Sequence, residues 1–439
     1  MTSTFADLKD NLSQGRSDSA LGRLYGKAAT GVQKRRYGRL LSEAEQRLGG
    51  GTCFLASAPG RTELGGNHTD HNNGRVVASA VDLDCIAAVV PAADNRVTLF
   101  STDYPEPISI VLDALDPDPG ERETPEALIR GVGAAWQRRG SSIQGFTAVI
   151  DSTCKPGTGL SSSAAFSVLI GGIFSTLAGS SPDPLQLARD GQFAENTFFD
   201  KPCGLMDQLS SAAGYTLGID FKDPANPAIT RIETSFEEWG YRLLIIDTGG
   251  SHSNLTADYA AVTEEIAQAV KILHREKARG LSVDEVLKEA GALRTRAGDR
   301  ALLRLLHFIT EDQRAAEQIE ALQRHNYGRF LELVKQSGDS SCKLLQNCSS
   351  SQNSREQGIM LAISLTEQLF PEAVCRVHGG GFAGTAQAYV PKDQFDDYQL
   401  LMEQVFGERS LIPVMTGRPG FCLCTADGWV FPELSGEGS

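Results

Sequence analysis

The sequence predicts a mixed α/β protein of two domains. Strand-like and helical patterns alternate from about residue 52 to the C-terminus, and 439 residues are enough for two to three domains, each with its own core. Residues 223–227 read DPANP, a composition typical of a loop, and form the best candidate for a junction. We therefore predict an N-terminal domain of residues 1–223 and a C-terminal domain of residues 224–439.

The N-terminal half follows a strand-rich pattern with two clear helices. Alternating apolar residues predict strands near 52–57, 75–92, 96–101 and 146–150. Helical patterns are found over 38–48 and 125–138. Thr124 followed by Pro125 predicts an N-cap and the first turn of the second helix.

The C-terminal half is richer in helix. Leu243–Ile246 is wholly apolar and predicts a strand buried on both faces. The apolar residues Tyr259, Val262, Ile266, Val270 and Leu273 mark one face of a helix, and Ser282 with Glu285 resembles a capping box at the start of a mostly helical stretch, 284–337. Residues 385–390 alternate as a half-buried strand does, and Cys422 and Cys424 fit a C-terminal strand.

The most informative segment is residues 156–165, which read PGTGLSSSAA. Two glycines open a tight loop, three hydroxyls follow, and an apolar run with helical spacing begins at Phe166. Free amides and the helix dipole converge at such a helix start, which favours an anion. The common P-loop pattern Gly-x4-Gly-Lys-Ser/Thr is absent from the sequence. The two interpretations are a phosphate cradle and a packing loop that needs small residues.

Composition limits the classes of partner and compartment. The net charge of −14 disfavours nucleic acid and anionic membranes, because both repel an acidic surface. Nine scattered cysteines, an odd number without a CxxC pair, favour a reducing compartment. The N-terminus lacks an apolar signal core, and the longest apolar stretch, 164–178, is too short and too interrupted to span a bilayer. We therefore expect a cytoplasmic protein of small-molecule chemistry, with no nucleic-acid or membrane partner.

Three further segments carry a resemblance. Residues 58–74 read APGRTELGGNHTDHNNG, residues 376–384 read RVHGGGFAG, and residues 195–208 contain Glu-Asn followed by PCGLMDQ. Together with PGTGLSSSAA they resemble the motifs of the GHMP kinases, in particular the galactokinase branch, in the same order and from about residue 30 to the end. The resemblance implies the two-lobed GHMP-kinase fold, with mixed sheets and helices and an active site in the cleft between the lobes.

The resemblance also implies ligands and roles. The ligands would be ATP, Mg²⁺ and a sugar phosphorylated at its anomeric hydroxyl, and the protein would be a monomer or weak homodimer. Asp207 and Arg61 would be the catalytic pair, with the arginine keeping the aspartate ionised. The implied nucleotide-binding residues are Gly157, Gly159, Leu160, Ser161, Ser162 and Ser163. The implied Mg²⁺ ligands are Ser163 and Glu195. The implied sugar-binding residues are Asn67, His68, Asp70, Gly204 and Tyr259. Whether Asp207 takes the sugar proton before attack or orients a late transfer stays open.

The sugar motif departs from the family pattern more than the phosphate motif does. Asn67 stands where galactokinases carry a glutamate that hydrogen-bonds the sugar, and is expected to face the sugar's C6 group. The other departures are Glu63, Gly65, His71, Asp200, residues 260–262, His378 and Ala383. Glu63 is interpreted as a solvated carboxylate. Galactose is the favoured substrate; galacturonate, N-acetylgalactosamine and a non-catalytic sugar and ATP sensor are the alternatives.

Overall fold

Two β-sheets organise the chain. The computed structural model describes residues 3–101, 104–250 and 255–433. The strands are β1 Phe54–Gly65, β2 Arg75–Pro91, β3 Arg96–Ser101, β4 Tyr104–Val111, β5 Phe146–Ser152, β6 Thr216–Asp220, β7 Ala228–Ile232, β8 Tyr241–Asp247, β9 Val374–Val377, β10 Thr385–Pro391, β11 Leu411–Val414, β12 Cys422–Thr425 and β13 Gly428–Val430.

The larger sheet has the order β13-β12-β1-β2-β5-β3-β4, and β6 pairs with both β2 and β7. Its β3–β5 pairing is parallel, whereas β1 and β2 pair antiparallel, so the sheet is mixed. The smaller sheet has the order β11-β8-β10-β9 and is antiparallel. The predicted α/β class with mixed sheets is confirmed.

Helices cover both sheets. They are α1 Phe5–Ser13, α2 Asp18–Tyr25, α3 Thr30–Leu48, α4 Pro125–Arg138, α5 Ser162–Leu177, α6 Pro184–Ala194, α7 Met206–Ala213, α8 Thr256–Ile272, α9 Val283–Lys288, α10 Ala290–Arg296, α11 Asp299–Gln323, α12 Tyr327–Ser340, α13 Gly358–Leu369 and α14 Phe395–Phe406. Short π-helical turns, Glu195–Phe199 and Ser341–Leu345, extend α6 and α12.

Both faces of the central strands β1 and β2 of the larger sheet are largely buried, whereas the edge strand β4 is exposed on one face. Ala56 of β1 packs in a core that includes Val168 and Ile173 of α5, whereas Leu55 packs in a second core with residues of α1, α2 and α3. A third core joins Leu64 of β1 to α12 and the smaller sheet. This third core holds the two sheets against each other and places the end of β1 between them.

Sheet pairing crosses the expected domain boundary. β12 pairs with β1, and β7 pairs with β6. In each pair one strand precedes residue 223 and the other follows it. A boundary at residue 223 therefore does not separate the strands of the larger sheet. The division into domains 1–223 and 224–439 stays a prediction. The sequence does not reveal these strand pairings, because pairing between distant segments leaves no local pattern.

Local predictions are largely confirmed. Helix α4 begins at Pro125 with Thr124 accepting a hydrogen bond from the Ala127 amide, and the Ser282 capping box is present. The helix predicted over 38–48 is the end of the longer α3. The half-buried expectation for β10 is wrong: the strand is buried throughout, because Ala386 faces α13 and α14 while Tyr389 faces α12. Within the described residues, no helix is long and apolar enough to cross a membrane.

Candidate active site

The predicted phosphate loop connects β5 to α5. Gly157 and Gly159 have φ of +83° and +71°, a left-handed conformation that glycine adopts without strain. Ser161 is the N-cap residue, also left-handed, but its hydroxyl makes no capping bond to the first turn. It donates instead to Asp207 Oδ2 at 2.6 Å. The amides at the start of α5 thus lack a side-chain cap, which is the arrangement expected of an anion site.

Asp207 and Arg61 lie in contact, as expected. Arg61 Nε donates to Asp207 Oδ1 at 2.7 Å, and Nη1 donates to the Gly159 carbonyl at 2.7 Å, which ties the pair to the phosphate loop. Burial would raise the pKa of Asp207, but Arg61, Lys201 and the Ser161 hydroxyl lower it below its ordinary value. Asp207 is therefore an ionised acceptor at neutral pH.

Lys201 is a functional candidate that the sequence did not reveal. Its ammonium lies 3.6 Å from Glu195 Oε2, and half of its side chain is exposed. The Glu195 carboxylate raises the pKa of Lys201, with a further contribution from Asp207. In the sequence Lys201 follows Asp200, whose carboxylate contacts Arg122 at the surface. A lysine in a loop carries no signal of its own.

Glu195 fits the role of a Mg²⁺ ligand. Its carboxylate is fully buried; Oε1 accepts a hydrogen bond from Gln208 at 3.0 Å, while Oε2 is buried without any hydrogen-bond donor among the described residues. Ser163 lies one turn before Ser167, and Glu195 one turn after Gly191, which packs on Ser167. The two expected ligands therefore lie at the same end of the α5–α6 pair.

A metal here would depend on few protein atoms. Among the residues that the structure describes, no group of three or more His, Cys, Asp or Glu side chains is placed to hold an ion. Mg²⁺ commonly takes one or two protein oxygens and completes its shell with phosphate oxygens and water. The donor set of Ser163 and Glu195 is thus sufficient only together with a nucleotide.

Asp70 and Gly204 meet, which joins the sugar motif to the catalytic segment. A Cβ built on Gly204 would lie 1.7 Å from Asp70 Oδ2, so a larger residue there would displace this carboxylate. Asp70 Oδ1 accepts a hydrogen bond from the His71 amide at 3.0 Å. The carboxylate thus faces the segment that carries Asp207.

His68 and Tyr259 both contact the glycine-rich third motif. His68 Nε2 lies 3.0 Å from the Gly380 carbonyl, and burial lowers the pKa of His68 to about 3, so the ring is neutral. The Tyr259 hydroxyl donates to the Gly381 carbonyl at 3.1 Å. One polar atom of each side chain is therefore already used by the third motif.

Asn67 does not face a sugar. Its side chain is fully buried, and Nδ2 donates to Glu63 Oε1 at 3.0 Å and to the Gly379 carbonyl at 2.7 Å. Its Oδ1 accepts hydrogen bonds from Asn347 at 2.8 Å and from Ser341 at 3.3 Å. The expectation of a direct side-chain contact with the C6 group is therefore wrong, because the amide has no hydrogen-bonding capacity left.

Glu63 is not solvated, contrary to its sequence interpretation. The residue is buried, and Arg376 Nη2 donates to Oε1 at 2.7 Å. Burial outweighs the arginine and raises the pKa of Glu63 to about 7. The neighbouring Gly65 is required because a Cβ there would lie 1.8 Å from Gln318 Oε1. The departures at 63, 65 and 67 thus belong to one buried network between the sheets.

His378, another departure, extends this network toward the phosphate loop. Its Nε2 lies 3.0 Å from Thr62 Oγ1 and its Nδ1 3.2 Å from Thr385 Oγ1. Burial lowers the pKa of His378 well below its ordinary value. A Cβ on Gly159 would lie 2.7 Å from the ring. The third motif therefore packs directly against the nucleotide loop.

Comparisons with known proteins find two sequence signatures and a similar fold. Residues 45–91 match the galactokinase galactose-binding signature, and residues 127–215 match the GHMP kinases N-terminal domain. The fold is similar to that of Lactococcus lactis galactokinase complexed with galactose, with a TM-score of 0.76 and 23% identity over 87% of this chain and 98% of that one.

More distant likenesses show the same fold. Methanococcus jannaschii mevalonate kinase has a TM-score of 0.57 at 16% identity, over 82% of this chain and 98% of its own. A D-glycero-D-manno-heptose 1-phosphate kinase from Bacteriodes thetaiotaomicron has a TM-score of 0.55 at 13% identity, over 84% and 98%. The two sequence signatures lie on the sugar loop and the phosphate loop described above. The chain thus carries the galactokinase galactose-binding signature and a GHMP kinases N-terminal domain, on a fold similar to that of these kinases.

Proposed function

We propose that this protein transfers the γ-phosphoryl group of ATP to the anomeric hydroxyl of galactose. The observation that carries the proposal is the position of Asp207, held by Arg61 and Ser161 at the start of α5, with Asp70 on the adjoining segment. Phosphoryl transfer requires mainly positioning and charge neutralisation, and this arrangement joins an acceptor for a hydroxyl proton to a phosphate cradle.

Asp207 accepts the hydrogen bond of the anomeric hydroxyl and takes its proton as the oxygen attacks phosphorus. Its lowered pKa makes it a weak base, but one that is always in the accepting form. Arg61 and Ser161 fix the direction of the carboxylate, so little reorganisation accompanies the step. This geometry suits a late proton transfer, after bond formation to phosphorus is well advanced.

The phosphates lie at the start of α5, cradled by residues 157–163. Ser163 and Glu195 would hold Mg²⁺, and the ion would supply neutralisation of charge on the phosphate oxygens. Lys201 adds a second positive charge on the same side, since its ammonium is beside Glu195 and acts on the pKa of Asp207. Arg61 and Lys201 thus both supply positive charge near Asp207, close to where the transferring group would lie.

Asp70 accepts hydrogen bonds from vicinal sugar hydroxyls, as an ionised carboxylate does well. Galacturonate is the second candidate substrate. Position 67 carries a neutral amide where galactokinases carry a glutamate, so it would not repel a carboxylate at C6 of the sugar. N-acetylgalactosamine remains a third. A non-catalytic sensor is disfavoured, since the phosphate loop and the Arg61–Asp207 pair are both complete.

The test is an assay of the purified chain with ATP, Mg²⁺ and a panel of galactose, galacturonate, N-acetylgalactosamine and glucose. We expect ADP release with galactose, and a product whose anomeric proton couples to phosphorus in NMR spectra. Turnover of galacturonate without galactose would replace the substrate and keep the chemistry. Nucleotide and sugar binding without ADP release from any sugar would reject the kinase assignment.

A further inference from the structure

Two cysteines at the end of α12 lie unusually close together. Cys342 Sγ and Cys348 Sγ are 2.7 Å apart, whereas a disulfide bond measures about 2.0 Å. Cys342 belongs to the π-helical turn Ser341–Leu345, and Gln346 in the left-handed region, with φ of +61°, turns the chain so that Cys348 faces back. The backbone therefore already has the shape that brings the two sulfurs together.

The two thiols differ in accessibility and acidity. Cys342 is partly exposed, whereas Cys348 is buried. The hydrogen bond from Cys348 lowers the pKa of Cys342, and the pKa of Cys348 is raised well above its ordinary value. The thiolate is the reactive form of cysteine, so Cys342 is the sulfur that an external reagent meets first.

This turn supports the sugar side of the site. Asn347, beside Cys348, donates to Asn67 Oδ1 at 2.8 Å and to the Gly380 carbonyl at 3.1 Å, and its own carbonyl accepts the Phe382 amide at 2.5 Å. Ser341, beside Cys342, also donates to Asn67. A bond between the two cysteines would therefore close the segment that holds Asn67 and the third motif.

We propose that Cys342 and Cys348 form a reversible intrachain disulfide, made by exchange with a low-molecular-weight disulfide such as oxidised glutathione. The Cys342 thiolate attacks one sulfur of the reagent and releases one thiol, which gives a mixed disulfide on Cys342. Cys348 then attacks Cys342 and releases the second thiol. The reagent is reduced to two thiols, the two cysteines lose two hydrogens and two electrons, and a reducing thiol reverses the sequence.

The site fits a redox sensor better than a structural bond. Structural disulfides are rare in reducing compartments, where those found are mostly transient. The remaining cysteines, apart from Cys203, are buried, and none of them lies within bonding contact of another thiol in the part of the chain that is described. Oxidation is therefore expected to link Cys342 and Cys348 selectively, because only these two cysteine sulfurs lie in contact among the described residues.

The experiment treats the full-length, fully reduced protein with oxidised glutathione and measures its intact mass and a non-reducing peptide map. We expect a loss of two hydrogens, a linked peptide joining 342 to 348, and reversal by dithiothreitol. Hydrogen exchange at the Phe382 amide should be slower in the oxidised protein. An unchanged mass, or a link between other cysteines, would overturn the site; unchanged exchange at Phe382 would overturn its coupling to the third motif.

Variants separate the two steps. Cys348→Ser should stop at a stable glutathione adduct on Cys342, and Cys342→Ser should gain no adduct at 348. Cys53→Ser, at a buried thiol in the core under α1, is the matched control and should still form the link. A two-hydrogen loss that persists in Cys348→Ser would contradict the proposal. The peptide map of the unmodified sequence decides the matter even if a variant fails to fold.

Discussion

Two arginine–carboxylate pairs at the end of β1 have the same contact distance and opposite acid–base behaviour. Arg61 and Glu63 are two residues apart on the same strand, and each pairs with a partner at 2.7 Å, Asp207 and Arg376 respectively. The Asp207 side chain is 17% exposed and its pKa is lowered. The Glu63 side chain is 3% exposed and its pKa is raised.

The difference shows that an ion pair alone does not set a carboxylate's charge. Asp207 gains the Ser161 hydroxyl and the nearby Lys201 ammonium, which together with Arg61 exceed its desolvation cost. Glu63 is sealed between the sheets with Glu311 nearby, and its arginine only partly offsets burial. The first pair is suited to chemistry at the cleft, whereas the second is suited to holding the sugar loop and third motif together.

The largest effect is expected for Asp207→Ala. Loss of a positioned proton acceptor costs about 10²–10⁴-fold in turnover, while nucleotide binding should persist because the phosphate cradle is separate. Turnover and nucleotide affinity are measured on the same preparation. Asp200→Ala, at an exposed carboxylate nearby, is the matched control and should change neither. Turnover of Asp207→Ala within a few-fold of the unmodified protein would assign this aspartate a structural role.

Breaking the ion pair of Arg376 with Glu63 should mainly reduce stability. Arg376→Met leaves Glu63 buried without its cation, which typically costs about 3–5 kcal/mol of the free energy of unfolding. Urea unfolding measures this loss. The double variant Arg376→Met with Glu63→Leu should recover part of it, because removing both charges leaves none uncompensated. A double variant less stable than the single one would show that the pair contributes net stability.

Swapping the residue types at positions 63 and 67 tests whether Asn67 acts through its hydrogen bonds with Glu63 or through contact with a sugar. Asn67→Glu alone places a second carboxylate against Glu63 and should cost several kcal/mol, as like charges at close range do. Adding Glu63→Asn restores one carboxylate and one amide in reversed positions. We expect this double variant to be more stable than Asn67→Glu by more than about 1 kcal/mol, which a double-mutant cycle measures. Strict additivity of the two changes would exclude the coupling.

The raised pKa of Glu63 predicts a pH dependence of stability. The folded value of about 7 exceeds the ordinary 4.5, so the unfolded chain releases this proton first as the pH rises. The contribution is fully present below about pH 4.5 and is lost toward pH 7, by roughly 3 kcal/mol at most. The stability of the unmodified protein relative to Glu63→Gln should therefore fall across this window. A flat difference would mean that Glu63 is ionised throughout.

The smallest effect is expected at Lys201. Lys201→Met removes a half-exposed cation beside Glu195, and we expect roughly a tenfold loss of turnover, at the low end for a charged contact. Binding of a non-hydrolysable ATP analogue, measured without Mg²⁺, should weaken as well. Lys201→Arg keeps the charge and should retain most of both. Equal loss in the two variants would indicate a packing role for this side chain.

The sequence was sufficient for features that depend on neighbouring residues. Helix α4 with its Thr124 cap, the Ser282 capping box and the loop before α5 were predicted because their signals lie within a few positions of one another. The pairing of Arg61 with Asp207 was predicted from the motifs of a known family, whereas the contact of Asp70 with Gly204 was not. Neither of these contacts between distant residues follows from the local pattern alone.

Only the tertiary structure decided the environment of the edited residues. Glu63 and Asn67 are polar residues in a loop-like motif, a pattern that favours solvent or ligand, yet both are buried against Arg376 and Asn347, which are distant in sequence. The pairing of β12 with β1 was equally hidden. Residue type and spacing determine local conformation and candidate chemistry. Burial and hydrogen-bond partners are decided where distant segments meet. Burial and partners in turn determine which carboxylate is charged and which amide can still bind a ligand.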